Sequence, residues 1–201
     1  MEITNLFTKR SNVSNPTMSD SDVFIISAAS NTDSAEAIQQ AINNAGVDSL
    51  RVQDVILGLD EPHSIDTEKI VSASSLTCSA VTVSSSLRAT FFAAQSILSL
   101  DVDVVIVVGT EANASTALLL ASPDAVGRWN LLPRARLAAR SLNGIESALR
   151  AAEIESKDVT ITKNGRNGAV LIKETLDELE QQSARWGAVT INEFALLIER
   201  I

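Results

Sequence analysis

The sequence predicts an α/β fold in which helices cover a mainly parallel sheet. Short runs of Val, Ile and Leu alternate with helical patterns along most of the 201 residues, which is typical of this class. Hydrophobic residues make up 45% of the chain but aromatic residues only 3%, so small and branched aliphatic side chains must fill the core. The chain is long enough to build one sizeable core or two smaller halves.

The rest of the chain is organised around the stretch from Ala80 to Gly109. Val81–Val83 is short and β-branched, as expected for a strand, and three serines follow it that can cap a helix. Leu87–Leu100 carries apolar residues on nearly every face, which predicts a helix buried on more than one side. Val102–Val108 is rich in valine and isoleucine, which predicts a strand covered on both faces.

The residues before this stretch predict two strands and two helices after a loose arm. A helix from Asp33 or Ser34 to Asn44 is the best marked, because Gly46 follows its last turn. The predicted segments, in order, are the arm 1–20, the strands Asp22–Ser27 and Val52–Leu57, the loop Asp60–Asp66, and the short helix Thr67–Ser74.

Beyond the central stretch the pattern pauses at Pro133 and then restarts as a shortened version of the first half. We therefore predict an N-terminal half at 21–132 and a shorter C-terminal half at 133–201. The predicted helices are Glu111–Ala121, Ser141–Glu153 and Ala169–Ser183, and the predicted strands are Val126–Leu131, Arg134–Arg140, Asp158–Thr162, Trp186–Ile191 and Phe194–Glu199, with a turn at Lys163–Gly168.

Composition excludes several classes of function. A net charge of −9 argues against nucleic-acid binding, which needs a basic surface. A single cysteine and a single histidine exclude an internal disulfide and a metal site built from several of these residues. No apolar run approaches the roughly 20 residues of a membrane helix, and residues 1–20 do not have the pattern of a signal peptide. We therefore expect a cytoplasmic protein that binds no membrane.

The order of several motifs resembles the thiolase family of acyl-CoA transferring enzymes. The likeness runs from about Val23 to Arg200 and includes an opening strand VFIISAA, the strand DVVIVVGTE that ends at Glu111, and the closing segment GAVTINEFALLIER. The resemblance implies a compact fold of two abbreviated βαβαβ-type halves, with mixed sheets covered by helices. It also implies a chemistry based on acyl-CoA thioesters.

The functional positions of that family do not carry over. The resemblance places Val83 where the family has its nucleophilic cysteine, Thr162 where it has a histidine, and Asn192 where it has a second cysteine. The sequence Gly165-Arg-Asn-Gly-Ala169 keeps only the end of the family's histidine motif. The oxyanion-hole motif and the loop domain that holds coenzyme A in degradative thiolases are also missing, so we expect no cofactor and weak or no coenzyme A binding.

The remaining candidate nucleophiles each have a simpler interpretation. Cys78 precedes the strand at Val81 instead of following it, so a buried structural cysteine is the simpler interpretation. Ser84, Ser85 and Ser86 need an adjacent base to act as nucleophiles and otherwise serve to cap a helix. His63 could act as a general base, but no partnered nucleophile is close to it in sequence, which favours a surface histidine.

Two functions from different classes follow from these residues. The first is a thiolase-like protein without thiolase catalysis, a non-catalytic subunit or interaction module associated with acyl-CoA metabolism. The second is an acyltransferase or hydrolase acting on acyl-CoA thioesters with a rebuilt serine or cysteine site. The resemblance also implies a homodimer, because the family pairs the strand before its nucleophile turn with its twofold mate. That strand is Ser79–Val83 here, and it is short and uncharged with no lysine or proline to block pairing. The alternative is a hetero-oligomer with an active thiolase-type enzyme.

Overall fold

A computed structural model of the chain describes residues 22–59, 65–111 and 113–201. The strands are β1 Phe24–Asn31, β2 Asp54–Leu59, β3 Ser79–Val83, β4 Val104–Glu111, β5 Ala114–Ala121, β6 Ala135–Ser141, β7 Val159–Asn164, β8 Trp186–Ile191 and β9 Phe194–Arg200. The helices are α1 Ser34–Ala45, α2 Thr67–Ala73, α3 Ser86–Leu98, α4 Pro123–Trp129, α5 Ile145–Ala151 and α6 Gly168–Gln181, with short 3-10 turns at Ser49–Arg51 and Ser156–Asp158. The predicted arm 1–20 and His63 lie outside the described residues, and none of the described helices is long and apolar enough to cross a bilayer.

The described strands form one sheet in the order β3-β2-β4-β5-β1-β6-β9-β8-β7. Strand β2 runs parallel to β3 and β4, and β7 runs parallel to β8, whereas β1, β5, β6 and β9 pair antiparallel with their neighbours. The mixed sheet implied by the resemblance is therefore confirmed, and the expectation of a mainly parallel sheet is wrong. Two of the antiparallel pairs, β4–β5 and β8–β9, are hairpins, because so short a connection can join only antiparallel strands.

The strand order repeats within the sheet. Reading outward from the centre, β1, β5, β4 and β2 correspond in order to β6, β9, β8 and β7, and β3 has no counterpart among the described strands. Among the described residues, the two sets pair where Phe24 and Ile25 lie opposite Arg136 and Ala135. Helices α3 and α6 pack against the inner faces of both sets. One apolar cluster, the inner core, contains residues from both helices and from strands of both sets.

The first helix forms as its caps predict. Asp33 accepts hydrogen bonds from the backbone amides of Ala35 and Glu36, and Gly46 ends the helix in the left-handed region at φ 65°. Helices α1, α2 and α4 cover the outer face of β1–β5 through a second apolar cluster, the outer core. Helix α5 covers a smaller outer cluster on β6, β8 and β9.

Two elements differ in type from the predictions. The predicted helix Glu111–Ala121 is largely strand β5, which is buried on both faces and therefore shows no alternation of apolar and polar residues. The predicted strand Val126–Leu131 is largely helix α4, which Ser122 caps by accepting from the Ala125 amide. Pro at the first position of this helix was the available sequence signal.

Helix α3 packs against β2 and β4 and against α6, but it also has an exposed side. Arg88 and Gln95 are exposed, and Phe92 is 49% exposed on the same outer side. The expectation that this helix lacks a polar face is therefore wrong. The strand that follows, β4, is buried on both faces as predicted.

Candidate functional site

The first turns of α3 and α6 meet in the interior. The backbone amides of a first turn have no acceptor within their own helix, so they need partners from elsewhere. The Ser86 hydroxyl donates to Oδ1 of Asn167 at 3.2 Å and accepts from the Ala169 amide at 2.9 Å. Oδ1 of Asn167 also accepts from the Val170 amide at 3.1 Å and so caps α6. Both side chains are buried, so Ser86 and Asn167 satisfy groups at a helix junction that water does not reach.

Glycines let the backbones approach one another at this junction. A Cβ atom on Gly58 of β2 would lie 2.1 Å from the Ser86 amide nitrogen, and one on Gly168 would lie 2.6 Å from that of Leu87. No side chain larger than hydrogen fits at either position. The junction is therefore closely packed on these two sides, and its one unpaired side-chain group among the described residues is Nδ2 of Asn167.

The serine turn before α3 is engaged in helix capping. Ser85 accepts from the Arg88 amide at 3.2 Å, and the exposed Ser84 accepts from Nη1 of Arg88 at 3.0 Å. Neither serine has a hydrogen-bonded base in the described part of the chain. A serine nucleophile needs such a base, so this geometry favours capping over nucleophilic catalysis.

The three positions that the resemblance places at family catalytic residues lie in three different elements of the fold. Val83 ends β3 and packs against the inner core, Thr162 is exposed on β7, and Asn192 is exposed in the β8–β9 turn at φ 54°. No side-chain hydrogen bond involves Thr162 or Asn192 within the described residues. These positions therefore supply neither a thiolate nor a connected acid and base.

Cys78 lies just before β3, in a groove between α2 and β3, and packs against the outer core. Burial raises the pKa of its thiol, and the nearby Asp54 carboxylate raises it further. The thiolate needed for nucleophilic attack is therefore disfavoured. No cluster of His, Cys, Asp and Glu suited to a metal ion occurs among the described residues.

Sequence reasoning missed the polar junction itself. Ser86 and Asn167 lie in separate halves of the sequence, and each reads locally as an ordinary capping residue. Only the strand order brings the first turns of α3 and α6 together, so a single sequence contains no local signal for this contact.

Comparison with known proteins identifies the fold. Neither a known protein family nor a curated protein matches the sequence. The structure is similar to the crystal structure of human mitochondrial 3-ketoacyl-CoA thiolase in complex with CoA, with a TM-score of 0.76 and 11% sequence identity. The match covers 90% of this chain and 98% of the thiolase chain. The fold is therefore a compact thiolase-like α/β fold.

Proposed function

We propose that this chain is a thiolase-like protein without thiolase catalysis, a non-catalytic subunit or interaction module associated with acyl-CoA metabolism. The observation that carries the proposal is the junction of α3 and α6, which Ser86 and Asn167 hold together by direct hydrogen bonds. The link to acyl-CoA metabolism rests on the similarity to a thiolase that binds CoA.

The chemistry of the described residues supports the absence of thiolase catalysis. Carbon–carbon bond formation between acyl thioesters needs an activated nucleophile and an acid/base group. Val83 has no reactive atom, and burial raises the pKa of the Cys78 thiol, which disfavours its thiolate. The alternative, an acyltransferase or hydrolase with a rebuilt serine or cysteine site, gains no support from the contacts of Ser84 and Ser85.

The proposed partner is a second copy of this chain, paired through β3. This strand lies at one edge of the described sheet, and Val81 on it is 53% exposed. The exposed Phe92 adds apolar surface on α3, which packs against β3. A hetero-oligomer with an active thiolase-type enzyme would use the same edge.

Assays of the purified chain with acetyl-CoA, and with acetoacetyl-CoA plus CoA, test the catalytic proposal. We expect no turnover above background, and the same background for Cys78→Ala and Ser84→Ala. Turnover in the unmodified chain that either substitution abolishes would favour the alternative function and identify its nucleophile.

A further inference from the structure

Leu100, just after α3, combines two unfavourable features. Its backbone lies in the left-handed region at φ 62°, and its side chain is 83% exposed. The Leu100 amide donates to the Ile97 carbonyl at 3.1 Å, which closes the last turn of the helix. This closure requires a left-handed residue, and glycine or asparagine adopts that conformation at lower cost than leucine does.

The other described helices end on smaller or more polar residues. Their left-handed end residues are Gly46, Ser75, Asn130, Glu153 and Ser183. Among the described helix ends, Leu100 alone places a large apolar side chain at this position. A strained backbone that carries an exposed apolar side chain indicates a contact with a group outside the described residues.

A cavity of about 240 Å³ lies beside Leu100 and is lined by both apolar and acidic residues. The lining residues are Ile97, Leu100, Asp103, Ser122, Pro123 and Asp124.

The carboxylates around this cavity outnumber the cations. Arg128 pairs with Asp103 at 3.2 Å and with Asp124 at 3.8 Å. Asp101, which follows Leu100, is exposed and has no ion pair among the described residues. Three carboxylates thus face one guanidinium. The cavity and the Leu100 side chain, together called the Leu100 surface, therefore favour an apolar group that has basic groups next to it.

The described chain begins close to the Leu100 surface. Phe24 at the start of β1 and Val104 at the start of β4 both lie opposite Ala121 of β5. Neighbouring strands are about 4.8 Å apart, so Phe24 and Val104 are separated by about 10 Å. Because Val104 directly follows Asp103 of the cavity, the segment 1–21 joins the fold about two strand spacings from the Leu100 surface.

The sequence of this segment has the chemistry that the Leu100 surface favours. Its apolar residues include Leu6 and Phe7, and the basic pair Lys9 and Arg10 follows them closely. An extended chain covers about 3.3 Å per residue, so the stretch from Phe7 to the start of the described residues can span up to about 50 Å. This reach exceeds the distance to Leu100 several times.

We propose that the segment 1–21 of this chain docks on the Leu100 surface. Phe7 and its apolar neighbours cover Leu100, and the basic pair after them meets the carboxylates around the cavity. Exposed ion pairs contribute little, so burial of the apolar side chains supplies most of the affinity. This inference is independent of the proposed function, because docking requires neither acyl-CoA nor a partner protein.

Trypsin cleavage of the full chain after Lys9 and Arg10, followed by mass spectrometry, measures how often the segment is undocked. Leu100→Asn suits the left-handed backbone but removes the apolar side chain. We therefore expect this variant to be cleaved about tenfold faster than the unmodified chain, or more. Leu142→Asn is the matched control, because it makes the same change at a leucine that is 56% exposed between β6 and α5, and it should leave the rate unchanged.

A double-mutant cycle in Tm separates docking from backbone strain. We expect Phe7→Ser to lower the Tm of the unmodified chain but to have almost no effect in Leu100→Asn, because the contact is already lost there. When Phe7→Ser is present, Leu100→Asn should raise Tm, because asparagine relieves the left-handed strain and no docked side chain remains to be lost.

Equal cleavage rates in the unmodified chain and in Leu100→Asn would overturn the proposal and leave the Leu100 surface to a partner protein of similar chemistry. Additive Tm changes for Phe7→Ser and Leu100→Asn would overturn it as well. Protection from trypsin that disappears when the chain is diluted would also contradict it, because the segment would then dock on a second copy.

Discussion

The strands β1–β5 and the strands β6–β9 follow the same order from the centre of the sheet, but they end differently. The first set ends in β3, whose sequence SAVTV has no charge and no proline. Within the described strands, the second set has no counterpart of β3 and ends in β7, whose Lys163 forms ion pairs with Glu178 and Glu174 of α6. Because a lysine on an edge strand discourages pairing with another chain, we expect any association to use the β3 edge rather than the β7 edge.

The two sets also differ in how their outer faces are covered. Helices α1, α2 and α4 bury a large apolar cluster on β1–β5, whereas α5 covers a small cluster on β6, β8 and β9. Among the described residues, ion pairs are more frequent around the second set, for example from Arg134 to Asp177 and to Glu180. Because exposed ion pairs contribute little, the apolar core under α1 and the junction of α3 and α6 should dominate stability.

The largest expected effect comes from the junction that joins the two strand sets. In Gly58→Ala the new Cβ atom would lie 2.1 Å from the Ser86 amide nitrogen, and this backbone cannot move without displacing α3 from α6. We expect the free energy of unfolding to fall by at least about 3 kcal/mol, or the chain to fail to fold. Chemical denaturation followed by circular dichroism measures the change.

Gly127→Ala is the matched control, because a Cβ atom there meets nothing within 4 Å and the residue lies in helix α4. It should raise the free energy of unfolding by about 0.5–1 kcal/mol through helix propensity. A loss below about 1 kcal/mol for Gly58→Ala would mean that the junction is looser than these contacts indicate.

The next effect concerns the two sheet edges. The unmodified chain should sediment at micromolar concentration with about twice its mass of 21.4 kDa. Thr82→Pro removes an amide donor from β3 and should yield monomer or insoluble protein. Val81→Lys places a charge at an exposed position of the same strand and should give a folded monomer.

Thr162→Lys tests the opposite edge, because Thr162 is exposed on β7. This variant should sediment like the unmodified chain. A stable monomer of the unmodified chain at all concentrations would refute pairing through β3 and direct the search to a different partner protein.

The smallest expected effect is a pH dependence around α6. Burial alone would raise the pKa of Asp177, but hydrogen bonds from Lys173 and Arg134 outweigh it and hold the pKa below its usual value. A lowered pKa in the folded state gives stability that is present above the unfolded pKa of about 3.9 and is lost as the pH falls through the folded pKa. Asp177→Asn should therefore reduce the loss of stability below about pH 4, by less than about 1 kcal/mol because the carboxylate is partly exposed.

Urea denaturation at neutral pH and at acidic pH measures this difference. Glu155→Gln serves as the control, because its ion pair with Lys157 is largely exposed and should contribute almost nothing. If Asp177→Asn and the unmodified chain lose the same free energy of unfolding at acidic pH, then the Arg134–Asp177–Lys173 contacts do not affect stability.

Local signals were sufficient for most elements of the fold. Helix α1 could be placed from Asp33 and Gly46, and the hairpin β8–β9 from its two apolar runs around Asn192. They failed at β5 and α4, because β5 is buried on both faces and its Ala and Leu residues have no strand periodicity. The strand type of β5 is decided by its pairing with β1 and β4, and these partners lie outside any local sequence window.

For the candidate sites too, some features follow from the sequence and others only from the tertiary structure. The sequence alone determined that Val83, Thr162 and Asn192 carry no thiolate and no imidazole, because residue identity fixes which reactive atoms exist. It also determined that Ser85 can cap α3, since capping needs only neighbouring amides. The tertiary structure alone decided that Ser86 meets Asn167 and that Arg88 lies over the Phe194 ring. These contacts depend on strand order and register, which are set by packing energies summed over the whole chain rather than by any single segment.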